Sequence, residues 1–402
     1  MAPAWVVPSI ERGLLSTLLS AAGLLGALPA VTPPRRTSAS NPRRPSSPDT
    51  APEFLRRRFR ALEPVLITMP YALSLLDKSP VPEGATAAEA LGHTIALAKR
   101  AEALGYRRFW VAEHHGTERH ASSAPEILVA HLLAHTSRIR IGSGGVMLQH
   151  YSPYKVAETF NVLAALAPGR VDLGIGKAPG GLPLSTKALQ VLHDRSEPPS
   201  FASRLADLDA FLTGLTAPDH PLAGAVATPI PAEPPQRILL GTGPETATLA
   251  AQHGWDFAYA GHFDGDPGHL ARSVEAYRQL TGRAPLLAIH AFAAETLEEA
   301  LARVERLRIY KVHLPNGQSA NVGTHEMAAE FARQAGADDY RVEERVPYVA
   351  TGTAEHVKRE LDGLAARHGI REFVIDLPVA DPISRLSSIE LLASVYQSSL
   401  AV

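Results

Sequence analysis

Four short stretches of this chain carry residues suited to chemistry. The first is Glu113-His114-His115, three ionisable groups in a row. At a strand end such a run supplies a base or a hydrogen-bond donor. Alternation along a strand equally sends one imidazole inward and one outward as a structural cap, and the residues alone leave both open. The second is Gly142-Ser143-Gly144-Gly145. Three glycines weaken a strand and point to a bulge or to something flat pressed on the backbone, with close helix packing as the plainer account. The third is Gly174-Ile175-Gly176-Lys177, where a lysine among glycines meets a phosphate as a point charge or simply faces solvent. The fourth is Gly241-Thr242-Gly243-Pro244-Glu245-Thr246. A helix starting there offers amides and hydroxyls to an anion, or is an ordinary cap. Its glycine spacing does not match a dinucleotide fingerprint.

These stretches need elements to position them. Short apolar runs are expected as strands at Tyr71 to Asp77, Arg107 to His115, Ile139 to Leu148, Arg170 to Gly176, Arg237 to Thr242, Asp256 to Phe263, Pro285 to Phe292 and Phe373 to Val379. Amphipathic helices alternate with them; Thr86 and Glu89 form a capping box before the first. Runs apolar throughout suit strands covered on both faces. Their number and rhythm predict an α/β chain folded as a (β/α)8 TIM barrel, with insertions after strands four and seven. Chemistry in such a barrel sits at the carboxyl ends of the strands, where three of the four stretches fall; Gly142 to Gly145 lies within the third strand. The polar segment Tyr310 to Thr324, with Asn316-Gly317 and Asn321, is expected to be a mobile lid.

Bulk properties narrow the choice. The chain has 402 residues, 45% hydrophobic and 20% charged, with a formal net charge of -2. No field of one sign recruits nucleic acid or an anionic membrane. There are no cysteines, so disulfides, thiolate metal sites and a cysteine nucleophile are excluded, and a cytoplasmic location is expected. His262, His290 and Asp376 are too scattered in sequence to favour a zinc site. Residues 1–68 are expected to be a weakly ordered extension before a barrel spanning 69–402. Leu14 to Val31 has the apolar core of a secretory signal, but Glu11 offsets Arg12 before it and the cleavage pattern is poor.

The stretch from Ala112 to Gly181, which contains AEHH, GSGGVML and GRVDLGIGKAPGG, resembles the core signature of the luciferase-like flavin monooxygenases. Ser74 to Leu91 is similar to the amino end of the alkanal-monooxygenase-type branch, and the likeness runs from about Met69 to the carboxyl end. The resemblance implies that His114 lies by the flavin and supports its chemistry. It implies a non-proline cis peptide between Gly144 and Gly145 under the ring. It implies that Lys177, where luciferase has arginine, binds the FMN phosphate with Thr242, Gly243 and Thr246. Luciferase has a serine at the place of Gly243 and a reactive cysteine at that of Gly176, so light emission is not implied. Reduced FMN, delivered by a separate flavin reductase, would react with dioxygen, and one oxygen atom would pass to a small organic substrate. A homodimer is expected. A deazaflavin-dependent oxidoreductase on the same barrel and a flavin-binding protein without turnover are the alternatives.

Overall fold

The computed structural model describes residues 71–398, apart from 195, 197 and 265; the expected amino-terminal extension and the signal-like run lie outside them. In chain order the barrel half contains β1 (Ala72–Asp77), α1 (Ala87–Ala103), β2 (Arg108–Val111), α2 (Pro125–His135), β3 (Arg140–Ser143), β4 (Val146–Met147), α3 (Pro153–Leu166) and β5 (Val171–Gly176). After an insertion holding α4 (Pro183–Leu189) and α5 (Phe201–Thr213) come β6 (Gln236–Gly241), α6 (Pro244–Gln252), β7 (Asp256–Ala260), α7 (Pro267–Thr281) and β8 (Leu286–Ala293). A second insertion carries α8 (Leu297–Val304), β9 (Ile309–His313), β10 (Ser319–Val322), α9 (His325–Ala335) and β11 (Arg341–Arg345). The chain closes with β12 (Val349–Gly352), α10 (Ala354–His368), β13 (Glu372–Asp376) and α11 (Pro382–Ser398).

Eight parallel staves form a closed ring in the order β1, β2, β3, β5, β6, β7, β8, β13, sealed by the β7–β8 and β13–β1 pairings. The fold is the expected (β/α)8 barrel with insertions after the fourth and seventh staves. Strand periodicity explains its two cores. Leu76, Trp110, Ile238, Leu240, Ala258, Ala288 and Val374 fill the barrel interior, while the alternate residues, such as Leu75, Phe109, Ile141 and Leu173, pack against the ring of helices. The first helix starts as expected: the Glu89 amide donates to the Thr86 hydroxyl at 3.2 Å, and the Thr86 amide donates to the Glu89 carboxylate at 2.7 Å.

At the amino ends of the staves, buried Arg108 donates to Glu372 at 2.5 Å and to Asp172 at 2.9 Å. Asp172 also accepts from the Trp110 indole at 2.9 Å and from Arg140. The desolvation of these charges is offset only because each has several partners. The network ties staves one, two, three, four and eight, Ser74 on β1 donating to Glu372 at 2.6 Å.

The segment expected to be a lid is instead a sheet. β9 pairs antiparallel with both β10 and β11. Val312, Leu314 and Val322 bury against Ala328, Phe331 and Ala332 of α9, and the Tyr310 ring lies 4.3 Å from that of His325. The alternation Tyr310, Val312, Leu314 is a strand period carried on polar intervening residues.

Candidate active site at the carboxyl ends of the staves

The Glu113-His114-His115 run divides its roles. Glu113 is buried and fully occupied: one carboxylate oxygen lies 2.7 Å from His115 Nε2 and accepts the Tyr151 hydroxyl at 2.9 Å, and the other accepts the Met147 amide at 3.0 Å. Together with the His115 amide on the Gly180 carbonyl, these bonds fasten the loop after β2 to the β4 and β5 ends. The His114 side chain takes no part in these bonds. Its amide donates to the Ser122 carbonyl at 2.9 Å, and its ring stacks on His120 at 4.6 Å. Its Nδ1 is sealed from solvent with no hydrogen-bond partner among the described residues. Burial, aided by the neighbouring His120 and Lys78, pushes its pKa down to about 3. Burial with Lys78 close by likewise takes His120 to about 4. Both imidazoles are therefore neutral near pH 7.

Beside them the fold gathers a cluster that is dispersed in sequence. Lys78, one residue past β1, pairs with Asp376 at the end of β13 at 2.6 Å. His290 on β8 lies opposite Asp376 in register, its Nδ1 3.5 Å from the carboxylate and 3.2 Å from the backbone carbonyl. His262, in the turn after β7, meets His290 edge to face at 5.7 Å. Lys78 and the two imidazoles hold the Asp376 carboxyl well below its ordinary range against the opposing effect of burial. Although His262, His290 and Asp376 converge, no group of three or more ligands among the described residues has metal-holding geometry.

Across the ring lie the expected phosphate contacts. Ile175 pairs with Leu239, so Lys177, two residues on, leaves β5 beside Gly241. Lys177 is exposed and makes no ion pair among the described residues. A Cβ at Gly241 would sit 2.6 Å from the Thr246 methyl and 2.9 Å from its hydroxyl, so glycine there lets Thr246 face the strand end. The Thr246 and Ala247 amides bond the Gly243 carbonyl, and Pro244 has no N–H. That leaves the Thr246 hydroxyl, the Gly243 amide and Lys177 for an anion. Exposed Glu245 places a carboxylate oxygen 2.8 Å from where a Gly243 Cβ would be; it must turn outward before an anion binds. Thr242 is half-buried in the same turn.

The Gly144–Gly145 peptide is cis, as expected. Protein closely surrounds it. A Cβ at Gly145 would lie 2.7 Å from the Gly174 carbonyl oxygen and 3.0 Å from the Gly176 nitrogen, and one at Gly144 would meet Leu76 at 2.7 Å and Trp110 at 3.0 Å. A Cβ at Gly142 would meet the Asp172 carbonyl at 2.4 Å. The close approach that demands these glycines is that of protein to protein: β5 on one side, the barrel filling on the other.

Two places at this end of the barrel are open to a ligand: a buried imidazole nitrogen without a partner among the described residues, and, across the ring, an exposed cation beside a helix start, which suits an anion. The comparisons give the family. The model of the luciferase-like monooxygenase family matches residues 69–372, and the chain belongs to that family. It is 41% identical over 325 residues to the N-acetyl-S-alkylcysteine monooxygenase of Bacillus subtilis, covering 80% of this chain and 97% of the relative. Among solved structures, apo-MsnO8 superposes with a TM-score of 0.64 at 33% identity, covering 81% of this chain and 98% of the other. Two structures at 17% identity and TM-scores of 0.57 share the fold. One is the oxygenating constituent of 3,6-diketocamphane monooxygenase from Pseudomonas putida in complex with FMN, covering 81% of this chain and 97% of its own. The other is an F420-dependent secondary alcohol dehydrogenase, covering 81% and 99%.

Sequence reasoning passed over Lys78 and His120. The rule that drew attention to strand ends applies to Lys78, which directly follows β1. His120 carried no such signal, since it reaches His114 only because its loop folds back.

Proposed function

We propose that this chain is an FMN-dependent monooxygenase that places one oxygen atom of dioxygen in a small organic substrate, using reduced FMN supplied by a separate flavin reductase. The observation that carries this reading is His114: a neutral imidazole at the mouth of a luciferase-like barrel, fixed by Ser122 and His120, with Nδ1 left unbonded. When bound, reduced FMN supplies the two electrons that dioxygen needs to leave one atom in product and one in water. Lys177 and the Thr246 hydroxyl bind the phosphate, with the Gly243 amide beside them. His114 hydrogen-bonds without bringing a charge. Trp110, Leu76, Ile238 and Val374 close the barrel beneath and keep water out. Identity to the B. subtilis enzyme along nearly its whole length supports a substrate of the same class, an N-acyl amino acid bearing a thioether.

The test has two stages. Mass spectrometry of the cofactor retained on purification distinguishes FMN from a deazaflavin. Photoreduced FMN and labelled dioxygen are then supplied with N-acetyl-S-methylcysteine. One labelled atom in the product is the expected result. Oxygen consumption that yields only hydrogen peroxide with every thioether tried, or a retained deazaflavin, would overturn the reading.

A further inference from the structure

The ring order places β1 and β13 across the barrel from β6 and β5. If Lys177 and Thr246 take the cofactor phosphate, the staves facing them are left for the substrate. There the structure has built a second cation. Lys78 and Asp376 pair at 2.6 Å, but the pair is lopsided: the lysine side chain is 22% exposed and the aspartate 2%. A ligand arriving from the mouth meets the ammonium, while the carboxylate holds it from below. Asp77, the acid at the end of β1, is turned away onto buried Arg385 at 2.7 Å.

The backbone around Lys78 is held with unusual thoroughness. Ser79, fully buried, has a φ of 46°, a left-handed conformation uncommon for a residue other than glycine. Its amide donates to Asp77 at 3.0 Å, and its hydroxyl accepts from Thr94 at 2.9 Å. The Lys78 carbonyl accepts the Ser122 hydroxyl at 2.9 Å, and the Ser122 carbonyl accepts the His114 amide. One serine thus fixes the cation and the imidazole relative to each other. A solvated surface lysine needs none of this support; a lysine that must meet a ligand group at a set distance from His114 does.

We propose that Lys78 is the substrate-anchoring cation of this site, and that the group it receives is a carboxylate. This rests on the monooxygenase reading for the identity of the substrate; the binding experiment below does not require turnover. N-acetyl-S-methylcysteine and its methyl ester, which differ by that one charge, are titrated calorimetrically into the wild-type protein. The same titrations are made with Lys78→Arg, Lys78→Met and the double variant Lys78→Met, Asp376→Asn. The double variant avoids leaving Asp376 buried without a counter-ion, a defect that could unfold the single variant. Wild type is expected to hold the acid at least tenfold more tightly than the ester, the size of one charge-assisted contact. Lys78→Arg keeps part of that preference, and the double variant brings acid and ester within about twofold of each other. A wild type that binds both equally, or binds neither, overturns the proposal, as does a double variant that keeps the full preference. Tight, acid-selective binding with no oxygen incorporated would count against the proposed reaction and leave the anchoring role standing.

Discussion

At the scale of single residues, the proposed reading gives His114 the chemistry and Lys177 the binding. Lys177→Ala removes the exposed cation beside Thr246. Fluorescence titration should show FMN binding weakened about tenfold or more, the effect of losing one charge-assisted contact, with riboflavin much less affected. An equal loss for both ligands would place the phosphate elsewhere. His114→Ala should keep FMN affinity and divert dioxygen to hydrogen peroxide, measured as peroxide released per oxygen consumed; unchanged coupling would return His114 to a structural role. With its pKa near 3, His114 stays neutral from pH 5 to 8, so any pH dependence of rate in that range arises from another group. These residues were legible because each stands in a run of unusual composition at a strand end. Lys78 was not, because nothing in the sequence near it names Asp376, almost the whole barrel away.

At the scale of elements, the cis Gly144–Gly145 link and its neighbours belong to the packing of β3 against β5 and the barrel filling. Gly145→Val must drive a branched side chain into the Gly174 carbonyl, so it should lower the melting temperature by many degrees or leave little folded protein. A variant that melted like wild type but failed to bind flavin would instead place the flavin ring against this glycine. The strand boundaries show what local pattern can and cannot supply. The capping box at Thr86 and Glu89 is a local bond pair and is readable as such. The β9–β10–β11 sheet was read as a loop because its polar residues outnumber its buried ones. Its identity comes from pairing with β11, some thirty residues later, which no short window contains.

For the whole molecule, buried neutral imidazoles set the response to acid. His114, His120 and His262 have pKa values pushed down to about 3, 4 and 3, in each case chiefly by burial. In the unfolded chain they titrate near 6.5. Below that value the unfolded chain takes up protons that the folded chain refuses, so this part of the stability is complete above about pH 6.5 and is lost progressively toward pH 3. The lowered Asp376 carboxyl adds a loss of the same sign beneath the ordinary carboxylate range. Urea midpoints should therefore fall clearly between pH 7.5 and pH 5, before most carboxylates titrate; a flat profile across that interval would contradict the burial of these rings. The alternation of apolar runs and helices made the barrel and its two insertions readable, since eight repeats of one simple pattern reinforce one another. Convergence of histidines from three different staves left no mark in any single stretch.

The Arg108 network has a consequence for how the chain is made. Glu372 is among the last barrel residues to leave the ribosome, yet it pairs with a guanidinium laid down some two hundred and sixty residues earlier, and β1 waits longer still for β13. A nascent chain lacking this strand has an open seam and an arginine without one of its two carboxylates, so cooperative folding is deferred until synthesis is nearly complete. Chains stalled just before Glu372 should be cut by protease throughout their length, and those stalled with β13 outside the exit tunnel should resist it.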